Sequence, residues 1–346
     1  MRRYLTPVIV LTLLGFVFGV LYRHFVDAAD EQTLGYYLRS CIHGAALALS
    51  AWAVQLYFTS RRSAWVRRWP LAVELIIRSV AMAVVIAAVA ITLEVILYGY
   101  GRGLGGEVEL YWLIDGLPKI IAVSFVLSII IGIAYELTRL IGIRLLFDVF
   151  LGRYRRPIRE ERVLLFLDLA GSTTLAERMG ELRVQDLLTR FFYDIDQAIV
   201  AHGGEVHAYV GDEVIVTWPV TAKPQRAYVD CFFAIQDRIA ALAGQYSKEF
   251  GLVPEFRAGI HAGPVVISEC GDSRRQIAYF GDTVNVAARL QAHCKEAGRP
   301  LLVSGELFRL LPKGNDLVVD PLGPTRLRGR AAPIEIFALA RPAHHA

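Results

Sequence analysis

Charge is scarce in this 346-residue chain: Asp, Glu, Lys and Arg make up 20% of it, against 55% hydrophobic residues. Cysteine is scarcer still. Cys41, Cys231, Cys270 and Cys294 are scattered, with no CxxC pair and no Cys/His spacing of a zinc site. That argues against a disulfide framework and places the polar half of the chain in a reducing compartment. No GxxxxGK[ST] loop occurs, which argues against a P-loop ATPase. The net charge is only +4, and the arginines fall in short runs rather than along one helical face. The pattern therefore excludes a nucleic-acid patch and reads as a membrane-topology signal.

The apolar excess, a mean hydropathy of +0.42, lies in the first ~150 residues. Four stretches, 4–22, 36–58, 71–98 and 118–137, are long and apolar enough to cross a bilayer, which takes about 20 helical residues. Arg2 and Arg3 before the first stretch would also suit a signal peptide. No small-residue cleavage site stands out, so an uncleaved span is expected. The first connection carries Asp27, Asp30 and Glu31, and the third Glu107, Glu109 and Asp115. The second holds Arg61, Arg62, Arg67 and Arg68, and Arg139, Arg144, Arg153, Arg155 and Arg156 follow the fourth span. Arginine-rich ends stay inside, so both termini and the polar half are expected in the cytoplasm of a multi-pass cell-membrane protein.

Within the spans, Glu74 and Arg78 lie one helical turn apart and are expected to pair. The lone His43 reads as a hydrogen-bonded structural residue rather than a haem ligand. Beyond the fourth span, Leu140, Ile143, Leu146, Phe147 and Phe150 recur at helical spacing, predicting one amphipathic helix that Pro157 ends. The expected division is a membrane domain over 1–137, a connecting helix or linker over 138–160, and a catalytic domain over 161–346.

Three segments of the polar half carry chemistry. VLLFLDL is a buried strand ending in Asp168, followed by AGSTT and a helix. The Asp can ligate Mg²⁺ or act as a helix cap, and the free N–H groups of Ala170, Gly171, Ser172 and Thr173 would face phosphate oxygens. GGEVHAYVGDEVIVTW reads as a hairpin with Gly211-Asp212 at its tip, Val206, Ala208 and Val210 alternating with more polar neighbours. Two carboxylates at neighbouring strand ends suit a pair of divalent cations on a triphosphate. IAYFGDTVNVAARL reads as a strand, then a helix capped by Asp282 or Thr283, with Asn285 and Arg289 on one helix face. An amide and a fixed cation suit negative charge building at a phosphoryl centre.

In that order and spacing, FLDLAGST, YVGDEVIVTW, and GPVV followed by GDTVNVAARL resemble the class III adenylate and guanylate cyclases over about Arg162 to Leu339. The resemblance implies a catalytic domain of α/β fold with a ferredoxin-like βαββαβ core, attached to an α-helical membrane bundle. It implies that Asp168 and Asp212 hold two Mg²⁺ or Mn²⁺ ions with help from the Leu169 carbonyl. Asn285 would hold the ribose, Arg289 the transition state, and Arg328 or Arg330, in LRGRAAPIEIFAL, the phosphates. It further implies a homodimer, since the metal carboxylates and the Asn/Arg helix of this family come from opposite subunits. No GG(D/E)EF signature of a diguanylate cyclase is present.

The sequence departs from the family where the base is read. Adenylate cyclases usually place Lys four residues before the second metal Asp and Asp or Thr seven before the helix Asn; here these are Ala208 and Ala278. The Glu and Cys typical of guanylate cyclases are absent too. Neither alanine can hydrogen-bond a purine, and Gln276, on the strand face of Ala278, is a candidate substitute. ATP is the expected substrate, with GTP or both purines as the alternative, and signalling without turnover as the rival to catalysis.

Overall fold

The computed structural model describes all residues except 1–11, 14, 18, 22–33, 60–68, 97–113, 115, 116, 143–147, 149, 150, 222, 224, 274, 313–316, 328–331 and 343–346. The chain divides into two compact units, Met1–Phe147 and Asp148–Ala346.

The first unit contains α1 (Leu34–Thr59), α2 (Leu71–Glu94) and α3 (Leu117–Ile141). Among the described residues, these three helices are long and apolar enough to cross a membrane, over Ser40–Phe58, Leu71–Leu93 and Leu117–Thr138. The first expected span, 4–22, falls largely outside the described residues; 12, 13, 15–17 and 19–21 are helical. Val54 and Phe58 of α1 pack against Met82 and Ile86 of α2, while Ile76, Val84, Val123 and Ile131 are exposed. Arg78 is buried, but its hydrogen bond goes to Gln55 of α1 and its guanidinium lies over the Tyr135 ring of α3 at 5.5 Å. The charge of Glu74, one turn away on α2, also acts on this guanidinium, so the expected pair is joined by links between helices. Such links suit an arginine in an apolar bundle, where neighbouring helices offer the polar partners. The amphipathic helix expected after the fourth span falls largely outside the described residues, with Asp148 helical. Helix α3 stops at Ile141, Gly142 has φ +86°, and residues 151–156 form turns; of the stripe, 143, 146, 147 and 150 lie outside the described residues.

The second unit is an eight-stranded sheet with helices on its faces. Its elements are β1 (Ile158–Leu169), α4 (Ser172–Met179), α5 (Glu181–Ala201), β2 (Glu205–Val210), β3 (Glu213–Pro219), α6 (Ala227–Ala241), α7 (Ala243–Phe250), β4 (Phe256–Cys270), β5 (Gln276–Phe280), α8 (Asp282–Ala297), β6 (Leu301–Ser304), α9 (Gly305–Leu310), β7 (Val318–Thr325) and β8 (Ile334–Ala340). The strand order is β2-β3-β1-β4-β6-β8-β7, with β5 paired to β4. Its first four strands have the βαββαβ connectivity expected from the sequence, and the parallel β4–β6 pair makes the sheet mixed.

One sheet face presents Leu165, Leu167, Val214 and Val216 to α5 and α6. Helix α5 meets it with Val184, Leu187, Leu188, Phe191, Ile195 and Ile199, the three- and four-residue steps of a single helical stripe. Beneath α5, buried Asp194 accepts from Arg190 Nε at 2.7 Å, Arg238 Nη2 at 3.3 Å and the Tyr246 hydroxyl at 3.0 Å. On the other face, α8 buries Val286, Leu290 and Cys294 against Leu302 and Ile336. Gly259 of β4 makes that approach possible: a Cβ there would collide with the Gln291 backbone nitrogen and the Ala287 carbonyl.

Candidate active site

Strand pairing explains how the two metal-type aspartates meet. Asp168 lies opposite Glu213 of β3, so the residue before Glu213, at the hairpin tip, comes up beside it. Gly211 makes the tip with φ +64°, a backbone that suits glycine. The Leu169 N–H then donates to the Asp212 carbonyl at 3.3 Å, fixing the tip against the end of β1. The Asp168 and Asp212 carboxyl groups lie within hydrogen-bonding reach of each other. Burial, then the Asp212 charge, pushes the Asp168 pKa up to about 7; Gln291 and Arg257 oppose the shift. Burial with the charges of Asp168 and Asp212 likewise pushes Glu213 up to about 7.

Two carboxyl groups so close need a proton or a cation between them. Among the described residues, no three His, Cys, Asp or Glu side chains converge as a ready cage. The donor set therefore fits cations held by two aspartates whose remaining ligands come from a phosphate substrate, water and backbone carbonyl oxygen.

The turn after β1 differs from expectation in one respect. The Ala170 N–H is taken by the Glu255 carbonyl at 2.8 Å, because the chain is still paired with the segment leading into β4. Gly171 (φ +76°) is the N-cap of α4 and supplies no side-chain cap. The N–H groups of Gly171, Ser172 and Thr173 have no backbone acceptor among the described residues, as at the start of helices generally, where the dipole favours negative charge. The Ser172 hydroxyl donates to Asp212 Oδ2, so this side chain serves the aspartate.

Helix α8 also differs at its start. Its N-cap is Gly281, in a φ +138° conformation without a side-chain cap, and the Thr283 hydroxyl donates to the Pro264 carbonyl at 2.7 Å. Asp282 and Thr283 are thus inside the first turn, and neither is the cap. Asn285 is exposed and Arg289 half-buried. At about 100° per residue, these two share one flank of the helix, whereas Gln291 lies about 160° around from Arg289. It is Gln291 whose Nε2 donates to Asp168 Oδ2, at 3.2 Å. Within one chain, α8 therefore meets the aspartates with its far flank and turns Asn285 and Arg289 elsewhere.

Ala208 and Ala278 are both half-buried, and the strands carrying them come together through stacked rings of His207 and Tyr279. The alternation expected along β2 is broken here, since the register shifts between Val206 and Ala208 and leaves His207 in a bulge. Gln276 is exposed at the start of β5, opposite Cys270. Arg328 and Arg330 lie outside the described residues. Gln291, Glu213 and the Ser172 bond were not anticipated. Only a register for β1 and β3 would have revealed Glu213, and only a helix wheel anchored on Gly259 the flank of Gln291.

The sequence and the fold have known counterparts. The chain is 42% identical to Adenylate cyclase 2 of Rhizobium meliloti (strain 1021) over 197 residues, 56% of this chain and 54% of that one. It is 32% identical to Adenylate cyclase 1 of the same organism over 190 residues, covering 53% of this chain and 28% of that one. It thus spans about half or less of the length of these relatives. Among solved structures, a bacterial light-regulated adenylyl cyclase shares its fold with a TM-score of 0.54 at 22% identity, over 65% of this chain and 66% of that one. The adenylate and guanylate cyclase catalytic domain family matches residues 157–341, more than half of the sequence, and the chain belongs to that family.

Proposed function

We propose that this protein is a membrane-anchored adenylate cyclase, converting ATP to cyclic AMP and pyrophosphate at sites formed between two copies of the chain. The observation that carries the reading is the closeness of the Asp168 and Asp212 carboxyl groups, with Asn285 and Arg289 on the opposite flank of the helix that reaches them. A single chain has one copy of each half-site, and its own α8 presents the wrong side. A symmetric pair would supply both halves twice.

In this reading Asp168 and Asp212, with the Leu169 carbonyl, hold two Mg²⁺ or Mn²⁺ ions. Bound divalent cations supply charge neutralisation along the triphosphate and acidify the ribose 3′-hydroxyl. The N–H groups of Gly171, Ser172 and Thr173 receive phosphate oxygens, and Ser172 keeps Asp212 in place. Asn285 of the second chain orients the ribose so that its 3′-oxygen lies in line with the α-phosphorus. The new O–P bond forms as the bond to pyrophosphate breaks, and the hydroxyl proton leaves to solvent. Arg289 places a fixed planar cation beside the oxygens that gain charge, and Arg328 or Arg330 meets the leaving phosphates.

ATP is preferred because the two relatives named above are adenylate cyclases. GTP is the second substrate, because the side chains of Ala208 and Ala278 cannot reject it. Three long apolar helices, with exposed aliphatic side chains, support anchoring in the cell membrane as a multi-pass protein. The arginine runs support cytoplasmic termini and a cytoplasmic catalytic unit.

The test is direct. The detergent-solubilised chain with Mn²⁺ is offered ATP and GTP separately, and cyclic nucleotide and pyrophosphate should appear in equal amounts. Asp212→Asn should lower the rate at least about a hundredfold without changing the size of the assembly. Cyclisation of neither purine by the wild-type dimer would replace this reading with signalling without turnover.

A further inference from the structure

Beside each of the two alanines stands an aromatic residue, His207 before Ala208 and Tyr279 after Ala278. Their rings are stacked, with centroids 4.1 Å apart and planes inclined by 21°. The contact joins β2 to β5, which are not hydrogen-bonded neighbours in the sheet, so one short aromatic wall stands one residue along the backbone from Ala208 and from Ala278. The β2 bulge allows this by taking His207 out of the regular alternation.

The wall is held from behind. The Arg162 guanidinium lies over the Tyr279 ring at 5.9 Å and is itself more than nine-tenths buried. Its Nε donates to Glu160 Oε2 at 2.9 Å, and its Nη1 lies 3.7 Å from Glu205 Oε2. Tyr279 also packs with Leu164, Phe166 and Ile267, which leaves its ring little freedom. His207 remains half-open, and its ring nitrogens have no hydrogen-bond partner among the described residues. Burial and the Arg162 charge both lower the His207 pKa. The imidazole is thus neutral near pH 7, with one donor and one acceptor nitrogen.

We infer that His207, held flat on Tyr279, contacts the purine base, and that this stack sets the choice between ATP and GTP. The inference rests on the nucleotide-cyclase reading above and adds the residue that discriminates. A neutral imidazole can donate to adenine N1 or guanine O6, or accept from the adenine amino group or guanine N1–H. One tautomer matches one purine and the second purine needs the other tautomer at a small cost, so discrimination should be shallow, within about tenfold.

The test is calorimetric, on the full chain with Mg²⁺, using α,β-methylene ATP, α,β-methylene GTP and inorganic tripolyphosphate. His207→Ala should weaken both nucleotide analogues and leave tripolyphosphate within about twofold. His207→Phe keeps a ring on Tyr279 but removes both nitrogens, and should move the ATP-to-GTP affinity ratio by about three- to tenfold. An unmoved ratio in His207→Phe, or a parallel loss of tripolyphosphate binding, would overturn the assignment while leaving the cyclase reading intact. Failure of the wild-type chain to bind either analogue would overturn both.

Discussion

Gln291 and Arg289 stand two residues apart on α8 and face opposite ways. Gln291 Nε2 donates to Asp168 Oδ2 at 3.2 Å, and Arg289 lies about 160° around the helix axis. The same helix thus supports one half-site of its own chain while offering its catalytic-type residues elsewhere. That relationship is the physical basis for expecting shared sites, and it shapes what each experiment should show.

Metal and proton should compete at Asp168. Unfolded, this aspartate ionises near 3.8; folded without cations, near 7. Between those values the folded chain keeps a proton that the unfolded chain has released, so cation-free stability falls as pH rises through the window. A bound cation takes the proton's place. Differential scanning fluorimetry should therefore show a larger Mn²⁺-induced rise in Tm at pH 8 than at pH 6. Asp212→Asn should reduce that pH dependence, the part due to burial remaining. An equal or smaller rise at pH 8 would contradict the assignment.

Gly259→Ala tests the seating of α8. The added methyl group would collide with backbone atoms at Gln291 and Ala287, which flexible side chains cannot relieve. The variant should lose about 1–3 kcal/mol of stability by overpacking. Cyclase turnover should fall more than about tenfold at temperatures where circular dichroism still reports a folded protein, because Asn285 and Arg289 ride on the displaced helix.

Asp194 is a structural counterpart to the Asp168 and Asp212 pair. It accepts from two arginines and Tyr246, and burial followed by the Asp194 charge raises the Tyr246 pKa. Asp194→Ala would strand these donors and should cost about 3–5 kcal/mol in denaturant unfolding of the catalytic unit. Tyr246→Phe, which removes only one donor, should cost about 1 kcal/mol.

The sequence made some of this site plain and hid the rest for physical reasons. Asp168, Gly211-Asp212 and the Asn285/Arg289 helix were visible because each sits at a local junction of strand, turn and helix whose chemistry is written within a few residues. The core topology came with the family resemblance that these motifs carry. The commitment of the Ala170 N–H to Glu255 was hidden because it joins residues 85 positions apart. His207 was hidden because the β2 bulge preserves the look of alternation in the sequence while changing its register. Asp282 and Thr283 both looked like caps. Glycine took that place, since only the residue at 281 has to adopt φ +138°. Arg78 reads as paired along its own helix, and only the packing of α1 and α3 shows that it has further partners across the bundle.

Complementation tests the shared site most directly. Asp212→Asn and Arg289→Ala should each be inactive as homodimers. A mixed dimer would carry one doubly damaged site and one intact site. Random pairing in a one-to-one coexpression should then restore about a quarter of wild-type cyclase activity. Activity no higher than that of the separate variants, in dimers shown to contain both chains, would contradict a site built from two subunits.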